Sequence, residues 1–284
     1  YGFNQVTSEK TMGLYQNNNA SQLAILTDGI YKNIDFTVNT LDNQTSLLNA
    51  LSGLNLTYFK RAPSQLFDQD AKSLNQRVAK NVSNSNKDFV TITYRVIAPP
   101  HSQLYVSVPN ISWSDDNNHS LSITVNGVTR NQVTDNTFDF FDLGYFETES
   151  MVTIKLSFPG NKVISFDNPS FYALDTQNYQ IAMNTINERD SKVTTSNNKV
   201  FVDYSSKTNA SLFFTIPYDK GWTATINHKK VKIQRAQKGF MKVDVPSGKG
   251  KVVLTFIPYG LKTGLLISLL ASCLLYTSDA ADEP

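Results

Sequence analysis

The sequence has few of the residues that build metal, redox and nucleophile sites. Cys273 is the only cysteine among 284 residues, so no disulfide can form within the chain. The three histidines, His101, His119 and His228, lie far apart and lack the paired spacing of zinc ligands. Phosphate-binding loops, Gly-x-Ser-x-Gly elbows and dinucleotide-binding fingerprints are also missing from the sequence. We therefore predict no metal, no cofactor and no catalytic residue.

Charge of one sign is scarce as well. The 26 lysines and arginines nearly balance the 24 acidic residues, which leaves a net charge of +2. So small an excess does not predict the basic surface with which proteins bind nucleic acid, and no nucleic-acid partner is expected. A chain of 284 residues can bury a sizeable core, and two domains are the natural expectation for that length.

The sequence is rich instead in short segments that alternate apolar and polar residues, the pattern of half-buried β-strands. Such segments recur between residues 88 and 175, namely Val90–Val96, Leu104–Val108, Leu121–Val125 and Val152–Phe158. The dipeptide Asn126-Gly127 is a strong hairpin signal within this series. A second series of alternating segments occupies residues 196–260. We predict an antiparallel β-sandwich over residues 88–175 and a second, membrane-proximal β domain over residues 196–260.

Helical patterns occur mainly outside these two series. Residues 1–87 are predicted as a mixed α/β region with a polar linker, in which Asp42 caps a helix that ends at Gly53. Residues 176–195 are predicted as a connecting helix and linker. The predicted fold class is therefore mainly β with some α. Two antiparallel sandwich-like domains follow a small α/β region and precede a truncated transmembrane helix.

The C-terminal residues change pattern again. Residues 261–272 are predicted as the start of a transmembrane helix, because the chain becomes apolar there. The apolar run from Leu265 to Leu275 supplies only about half of the ~20 residues that a spanning helix requires. Residues 273–284 resemble the translation of a common sequencing adapter, and we interpret them as an artefact rather than as a genuine acidic tail.

Several C-terminal motifs resemble those of a known bacterial family. They are Pro217-Tyr218, Gly221-Trp222, Lys229 in a turn, Gly239-Phe240, Pro246–Gly248 and the run Pro258–Gly264. Their order resembles the membrane-proximal end of the YfhO family, multi-pass membrane proteins similar to GT-C glycosyltransferases. Tyr259 departs from the family's second proline, and His228 departs from its usual turn glycine.

The resemblance implies a membrane enzyme that transfers a sugar from a lipid-phosphate donor to a cell-surface polymer such as teichoic acid. In GT-C proteins the catalytic carboxylate lies in an early external loop, which this sequence does not contain. The resemblance thus implies an extracytoplasmic region at the cell membrane that is not catalytic by itself. The alternative is a membrane-anchored carbohydrate-binding or adhesin module.

Trp113 stands beside Asp115 and Asp116 in a polar stretch of the first predicted sandwich. One interpretation is a carbohydrate site, in which the indole ring stacks on a sugar and the carboxylates bind hydroxyl groups. The other is a core tryptophan next to a solvated turn, since Asp and Asn are the usual turn residues. The ligand-binding role of these three residues is a prediction for the structure to examine.

Basic residues cluster shortly before the predicted membrane helix, at Lys229, Lys230, Lys232 and Arg235. Cationic groups in that position attract anionic lipid headgroups or polyanionic wall polymers. An ordinary solvent-exposed strand face explains the same pattern. We predict that these residues contact a membrane or a polyanion, and the expected partners are the membrane and a surface glycopolymer or lipid-linked sugar.

Overall fold

Antiparallel strands dominate the chain, as the alternating pattern predicts. The computed structural model describes residues 2–9, 12–69, 73–74, 78–80, 89–113, 119–134, 140–159 and 164–279. Within these residues the strands are, in chain order, β1 (Phe3–Glu9), β2 (Met12–Asn17), β3 (Ala24–Leu26), β4 (Phe59–Arg61), β5 (Ser64–Gln69), β6 (Ser73–Leu74), β7 (Val78–Lys80), β8 (Phe89–Ala98), β9 (Ser102–Ser107), β10 (Ser112–Trp113), β11 (His119–Val125), β12 (Val128–Thr134), β13 (Phe140–Phe146), β14 (Ser150–Pro159), β15 (Ile164–Asp167), β16 (Ser170–Asp175), β17 (Ser191–Ser196), β18 (Lys199–Ser206), β19 (Ala210–Phe214), β20 (Trp222–Ile226), β21 (Lys229–Val231), β22 (Gln234–Ala236), β23 (Phe240–Val245) and β24 (Gly248–Phe256). The helices are α1 (Thr40–Ser52), α2 (Thr176–Asn187) and α3 (Leu261–Asp279). The predicted fold class, mainly β with some α, is confirmed.

The chain divides into two compact units that do not follow its linear order. Unit 1 consists of residues 1–18 and 56–181, and unit 2 consists of residues 19–55 and 182–284. Residues 1–87 are predicted from the sequence as one region, whereas the structure divides them between the two units. Strand β3 and helix α1 lie in unit 2, and strands β1, β2, β4 and β5 lie in unit 1. Local alternation cannot reveal this arrangement, because it identifies a strand without identifying the strand's partner.

Unit 1 is built around two antiparallel sheets that share one core. Their strand orders are β12-β11-β14-β8-β5 and β13-β9-β16-β4. Alternate side chains of both sheets point into the core, and the most deeply buried include Val96, Leu104, Val106, Ile154 and Leu156. The hairpin of β11 and β12 turns at Asn126-Gly127, whose φ angles of 46° and 88° suit the tight turn that the sequence predicts.

Unit 2 is also built around two antiparallel sheets and one core. Their strand orders are β17-β18-β24-β20-β21 and β22-β23-β19-β3. The fully buried core side chains include Val202, Leu212, Phe214, Val243 and Leu254. Strand β3 completes the smaller sheet, because Leu26 pairs with Leu212 and Ala24 pairs with Phe214. A short N-terminal segment therefore closes the edge of a sheet made mostly of C-terminal residues.

Helix α1 begins earlier than the sequence predicts. Its N-cap is Asn39, whose side-chain oxygen accepts hydrogen bonds from the amides of Leu41 and Asp42. The prediction that Asp42 caps the helix is therefore wrong. Asp42 lies in the first turn, where its negative charge favours the positive end of the helix dipole. Gly53 ends the helix as predicted, with the left-handed φ of 75° that glycine adopts readily.

Arg189 joins this N-terminal segment to the C-terminal part of unit 2. Its guanidinium donates to the carbonyl oxygens of Leu26 and Leu51, each at 2.6 Å, and to that of Ser52. Leu51 and Ser52 end α1, whose last carbonyls lack helical partners and whose last turn has no basic residue. Burial lowers the pKa of Arg189, and the nearby Asp28 carboxylate partly opposes that shift. One arginine thus provides a remote C-terminal cap for α1.

Helix α3 is the last element of unit 2, and none of its described residues belongs to the core. Its apolar side chains are largely exposed, and the exposed fraction is 61% for Leu265 and 57% for Leu270. Residues 261–279 form a helix, which continues through part of the predicted adapter segment. Among the described residues, however, no helix has the length and apolarity needed to cross a membrane.

Candidate functional site

The candidate site is the corner of unit 2 where β24 passes into α3. Only residues 257–260 separate the strand from the helix. Gly260 adopts a left-handed φ of 87° there, and its carbonyl oxygen accepts from the amide of Gly264 at 2.8 Å. The amide of Leu261 donates to the carbonyl oxygen of Pro258 at 3.1 Å. These bonds set the direction in which the chain leaves the sheet, and we call this region the membrane-proximal corner.

Gly221 allows two backbone segments to approach closely at the corner, because it has no side chain. Its amide donates to the carboxylate of Asp219 at 2.6 Å, and its carbonyl oxygen accepts from the amide of Ile257 at 3.0 Å. A Cβ atom at this position would lie closer than 3.0 Å to the carbonyl oxygen of Ile257. The backbones approach so closely that glycine alone fits without a shift.

Aromatic side chains surround the same corner. Trp222 is half-buried against the core and packs on Phe256 with ring centroids 4.9 Å apart. Tyr259 is 80% exposed, and the ammonium group of Lys220 lies 5.7 Å from the centre of its ring. A tyrosine beside a lysine is the combination that membrane interfaces favour, since each offers an apolar body and a polar tip.

The predicted basic residues are all exposed. They differ in their distance from α3, however, and we therefore divide them into two pairs. Lys229 pairs with Ile226, which lies opposite Val252 of β24, whereas Trp222 lies opposite Phe256. From Val252 to Phe256 a strand advances about 13 Å. Lys229 and Lys230 therefore lie at the end of the sheet remote from α3, and we call them the far pair.

Lys232 and Arg235 lie nearer to the helix, and we call them the near pair. Lys232 follows Val231, which pairs with Ala224 in the middle of β20. The guanidinium of Arg235 lies 4.8 Å from the centre of the Tyr218 ring, shortly before Gly221 in the chain. Lys232 is thus nearer to the membrane-proximal corner than Lys229 along the strands, and Arg235 lies beside Tyr218, three residues before Gly221.

Trp113, the proposed sugar platform, lies in the core of unit 1. Its exposed fraction is 8%, and its indole nitrogen donates to the hydroxyl of Thr134 at 2.8 Å. A ring so enclosed offers little surface for stacking on a sugar, which agrees with the alternative of a core tryptophan. Asp115 and Asp116 lie outside the described residues, so a ligand-binding role for this group stays a prediction.

A buried polar cluster in unit 2 escaped the sequence analysis. The ammonium of Lys242, which is 8% exposed, donates to the carbonyl oxygen of Tyr31 at 2.9 Å and to Asp244 at 3.0 Å. Ser211 and Gln234 each donate to the same carboxylate at 2.6 Å. Lys242 and Asp244 alternate with buried apolar residues of β23, so their pattern indicates a solvent-exposed face. Only the fold reveals that residues 27–36 cover it.

The cluster is electrostatically balanced. Burial raises the pKa of the Asp244 carboxyl, but the hydrogen bonds from Ser211, Lys242 and Gln234 outweigh burial and place it below its ordinary value of 3.8. The carboxylate is therefore ionised at neutral pH and paired with the lysine. Among the described residues no buried side-chain nitrogen or oxygen lacks a partner, and no group of three or more potential metal ligands occurs. The cluster joins β23 to Tyr31, to β19 and to β22.

Comparison with known families gives a match over most of the chain. The family described as bacterial membrane protein YfhO matches residues 1–268. A Bacillus subtilis (strain 168) protein, named uncharacterized protein YfhO, is 30% identical over 103 residues, or 35% of this chain. The matched stretch is 12% of the length of the Bacillus protein, so the chain corresponds to a small part of that relative.

Solved structures show only distant likeness. A Paenibacillus cycloisomaltooligosaccharide glucanotransferase, complexed with cycloisomaltoheptaose, is 9% identical, with a TM-score of 0.26 over 78% of this chain and 51% of that chain. The tandem CBM22 domains of Paenibacillus barcinonensis Xyn10C are 10% identical, with a TM-score of 0.26 over 81% of this chain and 90% of that chain. Scores this low carry no conclusion about function.

Proposed function

Because the chain belongs to the YfhO family of bacterial membrane proteins, we propose that it is the extracytoplasmic part of a membrane glycosyltransferase-like protein. The parent protein would modify a cell-surface polymer such as teichoic acid with a sugar carried on a lipid phosphate. This chain would engage the acceptor or support the catalytic part rather than perform the transfer. The observation that carries the proposal is the direct passage of β24 into the exposed apolar helix α3.

The membrane-proximal corner has the chemistry that such a placement requires. The exposed leucines of α3 provide an apolar surface at the point where Tyr259 and Lys220 provide interfacial groups. The near pair adds positive charge, since Lys232 follows the pairing of Val231 with Ala224 and Arg235 lies over the ring of Tyr218. Anionic headgroups lie at the membrane surface and attract cations within about a Debye length, roughly 8–10 Å. We therefore propose that the near pair meets the headgroups and that the far pair does not.

Replacing Lys232 and Arg235 together by glutamine should weaken binding of the chain to vesicles that contain phosphatidylserine. Each juxtamembrane charge contributes about 1 kcal/mol, so two charges correspond to a loss of roughly 10- to 30-fold. Replacing Lys229 and Lys230 by glutamine is the matched control, because it removes the same charge farther from α3. We expect that control to change binding less than about threefold. Sedimentation with vesicles of stated composition, at constant ionic strength, gives both values.

Equal losses in the two double variants would contradict the proposed orientation and would indicate a general charge effect. Neutral phosphatidylcholine vesicles serve as the second control, since charge removal should leave binding to them unchanged. Thermal melts of both variants should stay close to that of the parent chain, because exposed charges contribute little to folding.

The chain by itself should transfer no sugar from a polyprenyl-phosphate donor to a teichoic acid acceptor. The described residues bring together no group of three or more potential metal ligands, and the family resemblance places the catalytic carboxylate in a different part of the parent protein. The parent protein, assayed in membranes with the same radiolabelled donor, should transfer the label. Turnover by the isolated chain would place a catalytic centre where we propose none. An inactive parent protein would argue instead for the binding or adhesin alternative.

A further inference from the structure

A shallow pocket lies on the outer face of the five-stranded sheet of unit 1. It has a volume of about 230 Å³ and lies where β5, β8 and β14 run side by side. Its lining consists of Pro63, Ser64, Gln65, Arg95, Ile97 and Met151. The pocket belongs to neither the membrane-proximal corner nor the Trp113 group, and none of its residues was singled out from the sequence.

Cross-strand pairing divides the pocket into a polar side and an apolar side. Arg95 pairs with Gln65 on β5, and Ile97 pairs with Met151 on β14. Paired side chains on one face lie about 5 Å apart, so each pair acts as a unit. The cation and the amide therefore lie together, next to two apolar side chains that remain 36% and 63% exposed.

An irregularity in β5 places an aromatic ring beside the pocket. Leu66 pairs with Tyr94 and Asp68 pairs with Thr93, so Phe67 is the extra residue of a β-bulge. Bulges redirect a side chain and are frequent next to binding sites. The Phe67 ring is 55% exposed, and the guanidinium carbon of Arg95 lies 3.7 Å from its centre. The ring thus supports the guanidinium from one side instead of filling the core.

The guanidinium is held in place but its donors are unused. Among the described residues Arg95 makes the ring contact with Phe67 and has no side-chain hydrogen bond or ion pair. A guanidinium presents five N–H donors in a fixed plane, and stacking on a ring leaves those donors free at its edge. The arrangement is suited to bind a carboxylate or a phosphate, which accept such donors in pairs.

We propose that this pocket binds a single sugar unit that carries an anionic group. The guanidinium of Arg95 binds the phosphate or carboxylate, and the amide of Gln65 and the hydroxyl of Ser64 bind sugar hydroxyls. Ile97 and Met151 contact the apolar C–H face of the ring. The inference goes beyond the proposed function, because the pocket lies in unit 1 and its binding needs neither a membrane nor the parent protein.

Titration of the whole chain with glucose 6-phosphate and with glucuronate tests the proposal, using saturation-transfer NMR and calorimetry. We expect at least one of them to bind, and to bind more tightly than glucose or inorganic phosphate. Binding of both identifies any anionic sugar as the ligand class. Binding of glucose 6-phosphate alone identifies a phosphorylated sugar, and binding of glucuronate alone identifies an acidic sugar. Binding of neither, or equal binding of inorganic phosphate, overturns the proposal.

Arg95→Gln should weaken the binding at least tenfold, because the charge-assisted hydrogen bonds are lost. Arg61→Gln is the matched control, since Arg61 also lies over an aromatic ring of unit 1, that of Tyr172, but on the other sheet. Binding should be unchanged in the control, and an equal loss in both variants overturns the proposal. If Arg95→Gln fails to fold, Met151→Glu places a negative charge at an exposed pocket position and should give the same loss. Unchanged binding in Met151→Glu overturns it as well.

Discussion

Replacing Gly221 by alanine should destabilise unit 2 by about 3 kcal/mol or more, the upper range for overpacking in a closed site. The added Cβ would meet the carbonyl oxygen of Ile257, a backbone atom that cannot rotate away as a side chain can. The same backbone is tied down, since the amide of Ile257 donates to the carbonyl oxygen of Gly221. The corner must therefore open, and we expect the melting temperature to fall by roughly 10 °C.

Gly239→Ala is the matched control for this prediction. Gly239 lies in the same unit, and a Cβ atom there would meet no atom within 4 Å. Its φ is also not positive, so alanine causes no backbone strain. We expect the control to melt within about 2 °C of the parent chain, which corresponds to the small effect of open surface positions. Similar melting temperatures for the two variants would show that the close approach at Gly221 is not limiting.

Arg189→Met should destabilise the chain by about 3 kcal/mol. The variant keeps the apolar stem but removes the guanidinium, and three carbonyl oxygens lose their charge-assisted donor. Two of those carbonyls belong to the C-terminal turn of α1, which has no basic residue of its own. Urea denaturation followed by circular dichroism measures the change in the free energy of unfolding.

Two further variants test the role of the guanidinium. Arg189→Lys is the conservative replacement, and Arg235→Met is the matched control. A single ammonium group cannot reach three carbonyls in the fixed geometry of the guanidinium, so lysine should restore only part of the lost stability. Arg235 is exposed and its guanidinium lies over the ring of Tyr218, so removing the guanidinium should cost no more than about 1 kcal/mol. A lysine variant as stable as the parent would mean that the guanidinium fork is not required.

The elements of this fold were largely readable from the sequence. Alternation located β8, β9, β11 and β14, and the Asn126-Gly127 turn falls where it was predicted. These features depend on residues within a few positions of one another, so a local pattern contains them. The helix end at Gly53 is of the same kind. The beginning was misplaced, because the side chain of Asn39 caps the helix three residues before Asp42.

The pairing of distant strands was not readable in that way. Strand β3 has three buried apolar residues and nothing in its sequence that identifies β19 as its partner. Arg189 looks like an ordinary charged residue after a helix, and its role depends on carbonyls of residues 26, 51 and 52. The pocket around Arg95 was missed for the same reason, since three strands and a bulge bring its residues together.

The four basic residues between Lys229 and Arg235 were predicted as one surface. The strand register separates them into a far pair and a near pair. Alternation indicated that Lys229, Lys230 and Lys232 are exposed, and they are. Alternation could not indicate how far each lysine lies from α3. That distance depends on the register of β21 with β20 and of β20 with β24. The sequence predicts contact with a membrane or a polyanion for all four basic residues, and we propose it for the near pair alone.

The interleaved course of the chain has a consequence for its biosynthesis. Leu26 leaves the ribosome roughly 190 residues before its partner Leu212. At about 5–20 residues per second, the interval between them is on the order of 10–40 s. The strands of unit 1 are complete during that interval, and unit 2 still lacks the strand on which β3 pairs. Residues 19–55 therefore remain without their pairing strand and without Arg189 until synthesis has reached residue 214.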